Sequence, residues 1–151
     1  MKIRKWLLAL TALLVFIQIF RIDKSAPAVD PAQDFMTVAA PPAELRAPLK
    51  AACYDCHSYE TRYPWYSDIA PVSWWLKNHV NEGRHHLNFS TFGQRSDRDQ
   101  LHALHECVEM VEEGEMPMSS YTWVHKDARL SEAQKAQLIA WLKSFNAVGS
   151  R

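Results

Sequence analysis

The chain has 151 residues, enough for one domain and too few for two sizeable cores. Its 17 basic and 17 acidic residues balance, so no net charge favours a nucleic-acid partner. Three cysteines are too few for a scaffold stapled by disulfides, and a 48% apolar composition is that of an ordinary globular protein.

The first 24 residues have the layout of an export signal or a membrane anchor. Three basic residues precede a mostly apolar run from Trp6 to Phe20, as in a signal sequence. Charged residues rather than small ones follow this run, so residues 1–24 are predicted to remain as a signal anchor. As a helix the run would extend about 22 Å, and snorkelling basic side chains would bridge part of the roughly 30 Å of hydrocarbon. The basic start predicts that the remainder lies on the exported side of a bacterial cytoplasmic membrane.

Residues 25–41 contain three prolines, with a fourth at residue 42, and are predicted to form an extended linker. The folded domain is therefore expected to cover residues 42–147. Apolar residues at helical spacing predict four helices in it. The first leads into Cys53 and is limited or restarted at Pro48, and the second spans Pro71 to Gly83. The third spans Ser96 to Gly114 and the fourth begins at Ser131, both with capping patterns. No segment alternates as a strand, so the predicted class is all-α.

The pentapeptide CYDCH, Cys53 to His57, is the pattern that carries chemistry. Two thiols at this spacing can add to both vinyl groups of one haem, and the adjacent histidine can then reach the iron. Shuffling this composition would produce such a pentapeptide in roughly two sequences per thousand. An exported location favours haem, because a bare exported CxxC would tend to oxidise. The motif predicts one haem c, attached covalently through Cys53 and Cys56 with His57 on the iron.

Three other interpretations of the motif remain. A thioredoxin-like dithiol would need a βαβ context, which the chain lacks. A zinc site could pair Cys53 and Cys56 with His102 and His105, although that His-x-x-His spacing is shorter than usual. A disulfide between the two cysteines of the motif would close a very small, strained loop.

A second axial ligand is expected after the third helix. Met116 and Pro117 follow Gly114 on a predicted loop, and a thioether raises the haem potential as in His/Met cytochromes. Met118 is the alternative ligand, and both methionines could instead fill the core. Cys107 is interpreted as a small buried hydrophobic residue. The other histidines are interpreted first as surface or capping side chains: His79, His85, His86, His102, His105 and His125.

Several longer stretches resemble the bacterial haem-binding domain family, whose members are small exported or membrane-anchored c-type haem proteins. They are CYDCHS, YPWYSDIAPVSWWL, HVNEGRHHLNFS and EGEMPMSSYTWVHKDARLSEAQKAQLIAWL. The resemblance covers about residues 41–144. It implies a cytochrome c-like helical domain around one haem.

The resemblance also implies roles for individual residues. Cys53 and Cys56 would carry the haem, His57 would be the proximal ligand and Met116 of the GEMP segment the distal one. Met118 stands where relatives commonly have a second proline or a bulky residue, which leaves the choice of methionine open. The aromatic and proline residues implied to wall the haem pocket are Tyr63, Pro64, Trp65, Tyr66, Pro71, Trp74 and Trp75, with Arg84 or Asn88 beside a propionate.

The predicted function is one-electron transfer by a membrane-anchored, single-haem protein that serves respiratory redox partners. An electron carrier is expected rather than an enzyme. The alternatives are a haem enzyme or small-ligand sensor, in which the distal methionine is displaced, and a zinc-binding interaction module.

Overall fold

Helices form all the regular structure that the computed structural model describes, which is residues 2–148 with side chains to residue 145. No strand occurs within those residues, so the predicted all-α class is confirmed. The helices are α1 (Lys2–Phe16), α2 (Phe35–Val38), α3 (Ala43–Leu49), α4 (Asp55–His57), α5 (Val72–His86), α6 (Asp97–Glu112), α7 (Ser119–Val124) and α8 (Glu132–Val148). A π-helical turn lies at Lys50–Tyr54, and 3₁₀ turns lie at Ile17–Ile19, Trp65–Asp68, Phe89–Gln94 and Lys126–Ala128.

The core forms where α6 and α8 pack together and cover α3. Leu104 and Val108 of α6 are buried there with Leu138 and Leu142 of α8. Both long helices begin at the predicted caps: the hydroxyl of Ser96 accepts the N–H of Asp99, and the hydroxyl of Ser131 accepts that of Gln134. These side chains satisfy backbone donors that the first helical turn leaves free.

The run from α3 to α4 is helical throughout and delivers the CYDCH motif. Pro48 lies inside α3, so the helix is neither limited nor restarted at this residue. The missing N–H of Pro48 costs one hydrogen bond, but Leu45 and Leu49 are buried in the core and hold the helix in place. The π-helical turn follows at once and contains Cys53. Such turns are rare and occur often at functional sites.

Helix α5 continues past Gly83 to His86, so the predicted stop at this glycine is wrong. Gly83 has a packing role instead. A Cβ atom at this position would lie 2.8 Å from the carbonyl oxygen of Cys56. The absence of a side chain lets α5 approach the backbone of the motif.

The predicted linker, residues 25–41, contains part of the packed structure. Phe35 on α2 is 1% exposed and belongs to the core cluster, with its ring 4.7 Å from that of Phe89. Asp34 is buried too, where it caps α2 and accepts a hydrogen bond from the hydroxyl of Tyr54. Packing therefore begins before residue 42, the expected start of the domain.

The N-terminal helix α1 buries none of its residues. No helix within residues 2–148 is both long enough and apolar enough to cross a membrane. The residues after α1 contact the domain, since the side chain of Gln18 makes two hydrogen bonds to the backbone of Ala70 and Phe20 accepts one from Trp74.

Candidate functional site

The two cysteines of the motif lie three residues apart on one helical run. Residues at this spacing share a face of a helix, so both thiols can address one flat group. All three cysteines are free thiols. Burial raises the pKa of Cys53 to about 12 and that of Cys56 to about 11, so both are protonated at neutral pH.

His57, the last residue of α4, has its imidazole fixed by one hydrogen bond. Nδ1 lies 3.1 Å from the carbonyl oxygen of Leu87. Because a carbonyl only accepts, Nδ1 carries the hydrogen and Nε2 keeps a lone pair. Burial lowers the pKa of His57, which favours the neutral ring. A neutral imidazole whose second nitrogen donates to a carbonyl is the usual state of a metal-binding histidine.

Asp55, one of the two residues between the cysteines, is the centre of a hydrogen-bond network. Its Oδ1 accepts the backbone N–H of Arg62 at 2.9 Å, and its Oδ2 accepts the hydroxyl of Tyr121 at 2.7 Å. The Tyr121 ring stacks on His125 with the centroids 4.4 Å apart, and Nε2 of His125 lies 2.6 Å from the hydroxyl of Tyr66. The network connects the motif to α7 and to the 3₁₀ turn at Trp65–Asp68.

A small cavity, with room for little more than a water molecule, lies beside Cys56 and this network. A haem is far larger, so a porphyrin at Cys56 requires the lining to move apart. The donor set itself fits a haem: two thiols on one helical face and a neutral imidazole. The lining residues are Asp55, Cys56, Thr61, Arg62, Pro64, Tyr66, Leu76, Val80, Tyr121 and His125.

The two candidate methionines occupy different environments. Met116 packs against the core cluster, as do Cys53 and Cys107, and its N–H bonds to the carbonyl of Met110 at 3.0 Å. Met118 lies at the start of α7, where its carbonyl accepts two backbone N–H groups. Burial raises the pKa of Cys107 to about 12, in keeping with the hydrophobic role predicted for it.

The predicted aromatic wall is only partly at the cavity. Tyr66 lines it together with Pro64, whereas Trp65, Trp74 and Trp75 are 77%, 39% and 49% exposed. The two candidates for a propionate contact have other partners. Arg84 donates to the carbonyl of Ser58 and to Thr61, and Asn88 caps the 3₁₀ turn at Phe89–Gln94.

The sequence predicts no role for Asp55, Arg62 and Tyr121 of this network, and it predicts only a surface or capping role for His125. Two signals could have identified three of these four residues. Asp55 lies inside the motif itself, and Tyr121 and His125 are four residues apart, a spacing that places side chains together on a helical face.

The zinc interpretation finds no support in the geometry. His102 and His105 are largely exposed on α6, where each faces a glutamate one turn further along. Within residues 2–148, no three histidine, cysteine or acidic side chains are grouped so that they could hold a metal ion.

Comparison with known proteins identifies one family. No match was found among curated proteins or among solved structures. A family model described as a haem-binding domain matches residues 12–144, which is most of the chain and includes the CYDCH motif, the network and both candidate methionines. The chain belongs to the haem-binding domain family.

Proposed function

We propose that the protein carries one haem c, bound through thioether bonds to Cys53 and Cys56, and that it transfers single electrons. The observation that carries the proposal is the hydrogen bond from Nδ1 of His57 to Leu87. It leaves Nε2 available for iron and holds the ring in one orientation. In attachment, each thiol would add its sulfur to one vinyl carbon and its hydrogen to the other, so no oxidant is consumed.

Met116 is the distal ligand in this proposal. Two features support Met116 over Met118: it packs against the same core cluster as Cys53, and its backbone is bonded to the end of α6. A bound haem supplies an iron centre that gains and loses one electron. His57 and Met116 would hold that iron in both states, and the partial burial of both side chains would limit the access of water to it.

The pyridine haemochrome spectrum and the intact mass of the mature protein test attachment. We expect protein from a host that attaches haem to contain one haem with both vinyl groups saturated. Cys53→Ser and Cys56→Ser should each leave one vinyl group free, and Cys107→Ser should change neither measurement. A mature protein with the mass of its amino acids alone would contradict the proposal.

Absorption spectra of methionine variants test the ligand. We expect Met116→Ala to lose the methionine–iron charge-transfer band and the low-spin ferric spectrum. Met118→Ala should retain both, because Met118 is placed at the start of α7. Loss of the band in Met118→Ala alone would assign the ligand to Met118.

A membrane location is part of the proposal. Helix α1 begins with three basic residues and then exposes apolar side chains all round, which suits an anchor with the haem domain on the exported side of a bacterial cytoplasmic membrane. Redox proteins of that membrane would be the partners. Flotation of the full-length protein with lipid vesicles tests the anchor, and a protein that stays in the soluble fraction would contradict it.

A second candidate is a haem enzyme or small-ligand sensor. The polar groups that line the cavity favour it, because hydrogen-bond donors near a haem promote ligand binding; they include Arg62, Tyr66 and His125. A five-coordinate, high-spin ferric spectrum of the wild-type protein would favour this candidate over electron transfer.

A further inference from the structure

The segment that follows α1 is fastened to the domain by paired hydrogen bonds. The side-chain amide of Gln18 donates to the carbonyl of Ala70 at 3.0 Å and accepts its N–H at 2.9 Å. The indole N–H of Trp74 donates to the carbonyl of Phe20 at 2.8 Å. Gln18 and Phe20 are at the end of the apolar run. The place where α1 leaves the domain is therefore fixed beside residues 70–74.

The negative charge of Asp68, beside the end of α1, is neutralised by two basic side chains. Asp68 is the only charged residue among residues 65–75. The ammonium group of Lys24 lies 2.7 Å from its carboxylate and the guanidinium of Arg21 lies 3.8 Å away. Both basic residues follow the apolar run, so the one acidic group among residues 65–75 is paired. Asp23, between them in the chain, is exposed and accepts hydrogen bonds from Ser25.

Five large apolar side chains are exposed in the same stretch. Single exposed apolar residues are normal, but a group of them marks an interaction surface. Tryptophan in particular is enriched where lipid tails meet water, since its ring is apolar and its N–H is polar. We refer to the five as the aromatic surface: Trp65, Ile69, Val72, Trp74 and Trp75.

We propose that the aromatic surface lies in the headgroup region of the lipid bilayer, so that the haem domain is seated on the membrane instead of moving freely on a tether. The proposal rests on the proposed membrane anchor. Lipid is the occupant because the surface continues directly into α1, whose apolar side chains are exposed on every side. A helix that is apolar all round suits lipid better than the single face of a partner protein.

Two tryptophans provide a matched pair for the test. Trp65 in the aromatic surface is 77% exposed, and Trp123 on α7 is 78% exposed. In water the two indoles should therefore react alike with hydroxyl radicals. The full-length haem protein is placed in lipid nanodiscs that hold one copy each, which prevents contact between two copies. Oxidation of each tryptophan is then measured by mass spectrometry.

We expect Trp65 to be oxidised several-fold more slowly than Trp123, with Trp74 and Trp75 protected in the same way. Equal oxidation of Trp65 and Trp123 in protein that has entered the discs would overturn the seated arrangement and leave the anchor intact. Failure of the protein to enter the discs would overturn both the membrane anchor and the seated arrangement. The two proposals therefore fail in distinguishable ways.

Discussion

The two residues between the motif cysteines are each hydrogen-bonded to a different part of the domain. Tyr54 is buried, and its hydroxyl donates to Asp34 beside α2. Asp55 accepts hydrogen bonds from Arg62 and from Tyr121 on α7. Because neither residue is free to turn, the thiols of Cys53 and Cys56 keep a fixed direction. Part of the site is therefore positioned by side chains that contain no cofactor ligand.

Removal of the Tyr121 hydroxyl should weaken this arrangement. We expect Tyr121→Phe to lower the free energy of unfolding by about 1 kcal/mol, since Asp55 loses one of its hydrogen bonds. Urea unfolding of the haem protein, followed by circular dichroism, measures the loss.

Tyr63→Phe is the matched control. The Tyr63 hydroxyl is buried and has no hydrogen-bond partner within residues 2–145, so its removal should leave the free energy of unfolding unchanged or higher. Equal losses in the two variants would contradict the role given to the Tyr121 hydroxyl.

At the scale of elements, the close contact between α5 and the motif decides the shape of the site. Gly83 brings α5 against the carbonyl of Cys56, and the chain that leaves α5 supplies the Leu87 carbonyl to His57. One helix therefore sets the distance to the cysteine and, through the residue after its end, the orientation of the histidine.

Gly83→Ala should change both the distance between α5 and Cys56 and the orientation of His57. Alanine has a higher helix propensity than glycine by about 1 kcal/mol, but its Cβ would lie 2.8 Å from the oxygen of Cys56. We expect a net loss of about 1–3 kcal/mol, the usual cost of an overpacked contact, together with a lower haem content. Thermal unfolding and the haem-to-protein absorbance ratio measure the two effects.

Glu82→Ala, on the exposed side of the same helix, is the control and should be close to neutral. A higher stability of Gly83→Ala would contradict the prediction. It would mean that α5 can shift away from Cys56 with little loss of free energy, so that the higher helix propensity of alanine dominates.

Sequence patterns predicted those elements whose cause is local. The caps at Ser96 and Ser131 depend on hydrogen bonds within one turn, and such bonds follow from residue type and spacing. Gly83 was assigned wrongly because a glycine is equally consistent with a helix end and with close packing. Phe35 was placed in a linker since a lone aromatic residue among prolines has no periodicity, and its partners are distant in sequence.

In the site, too, features with a local cause follow from the sequence and features that depend on distant residues do not. The CYDCH pattern indicated two thiols and an imidazole that could serve one haem, and the structure has all three on one helical run. The number of aromatic residues, in contrast, does not indicate which of their side chains face the cavity and which face solvent. Trp65 is exposed while the neighbouring Tyr66 lines the cavity, and only the tertiary packing of the 3₁₀ turn separates them. The Asp55–Tyr121 bond joins residues 66 positions apart, which no local pattern can indicate.

At the scale of the whole molecule, the fastening of α1 determines how the domain can be oriented. Gln18 pairs with both backbone groups of Ala70, so rotation about the end of α1 requires two hydrogen bonds to break. While these hydrogen bonds are intact, the orientation of the domain relative to α1 stays constant.

Gln18→Ala should release this orientation without unfolding the domain. We expect the distance distribution between a spin label on α1 and one on α8, measured by pulsed electron resonance in nanodiscs, to become broader. The free energy of unfolding should fall by no more than about 1–3 kcal/mol, the cost of the lost hydrogen bonds. Gln94→Ala, at an exposed glutamine elsewhere, is the control and should leave the distribution narrow. A distribution that stays narrow in Gln18→Ala would contradict the role given to the Gln18 contact.

The burial of Phe35 limits how far proteases could shorten this protein. A cut among residues 25–33 would free a domain that keeps its whole core. A cut after Ala39 would remove the ring that contacts Phe89, Phe92 and Trp141, at a cost comparable to the ~3–5 kcal/mol of deleting a buried phenylalanine. Any stable proteolytic fragment must therefore begin no later than Asp34.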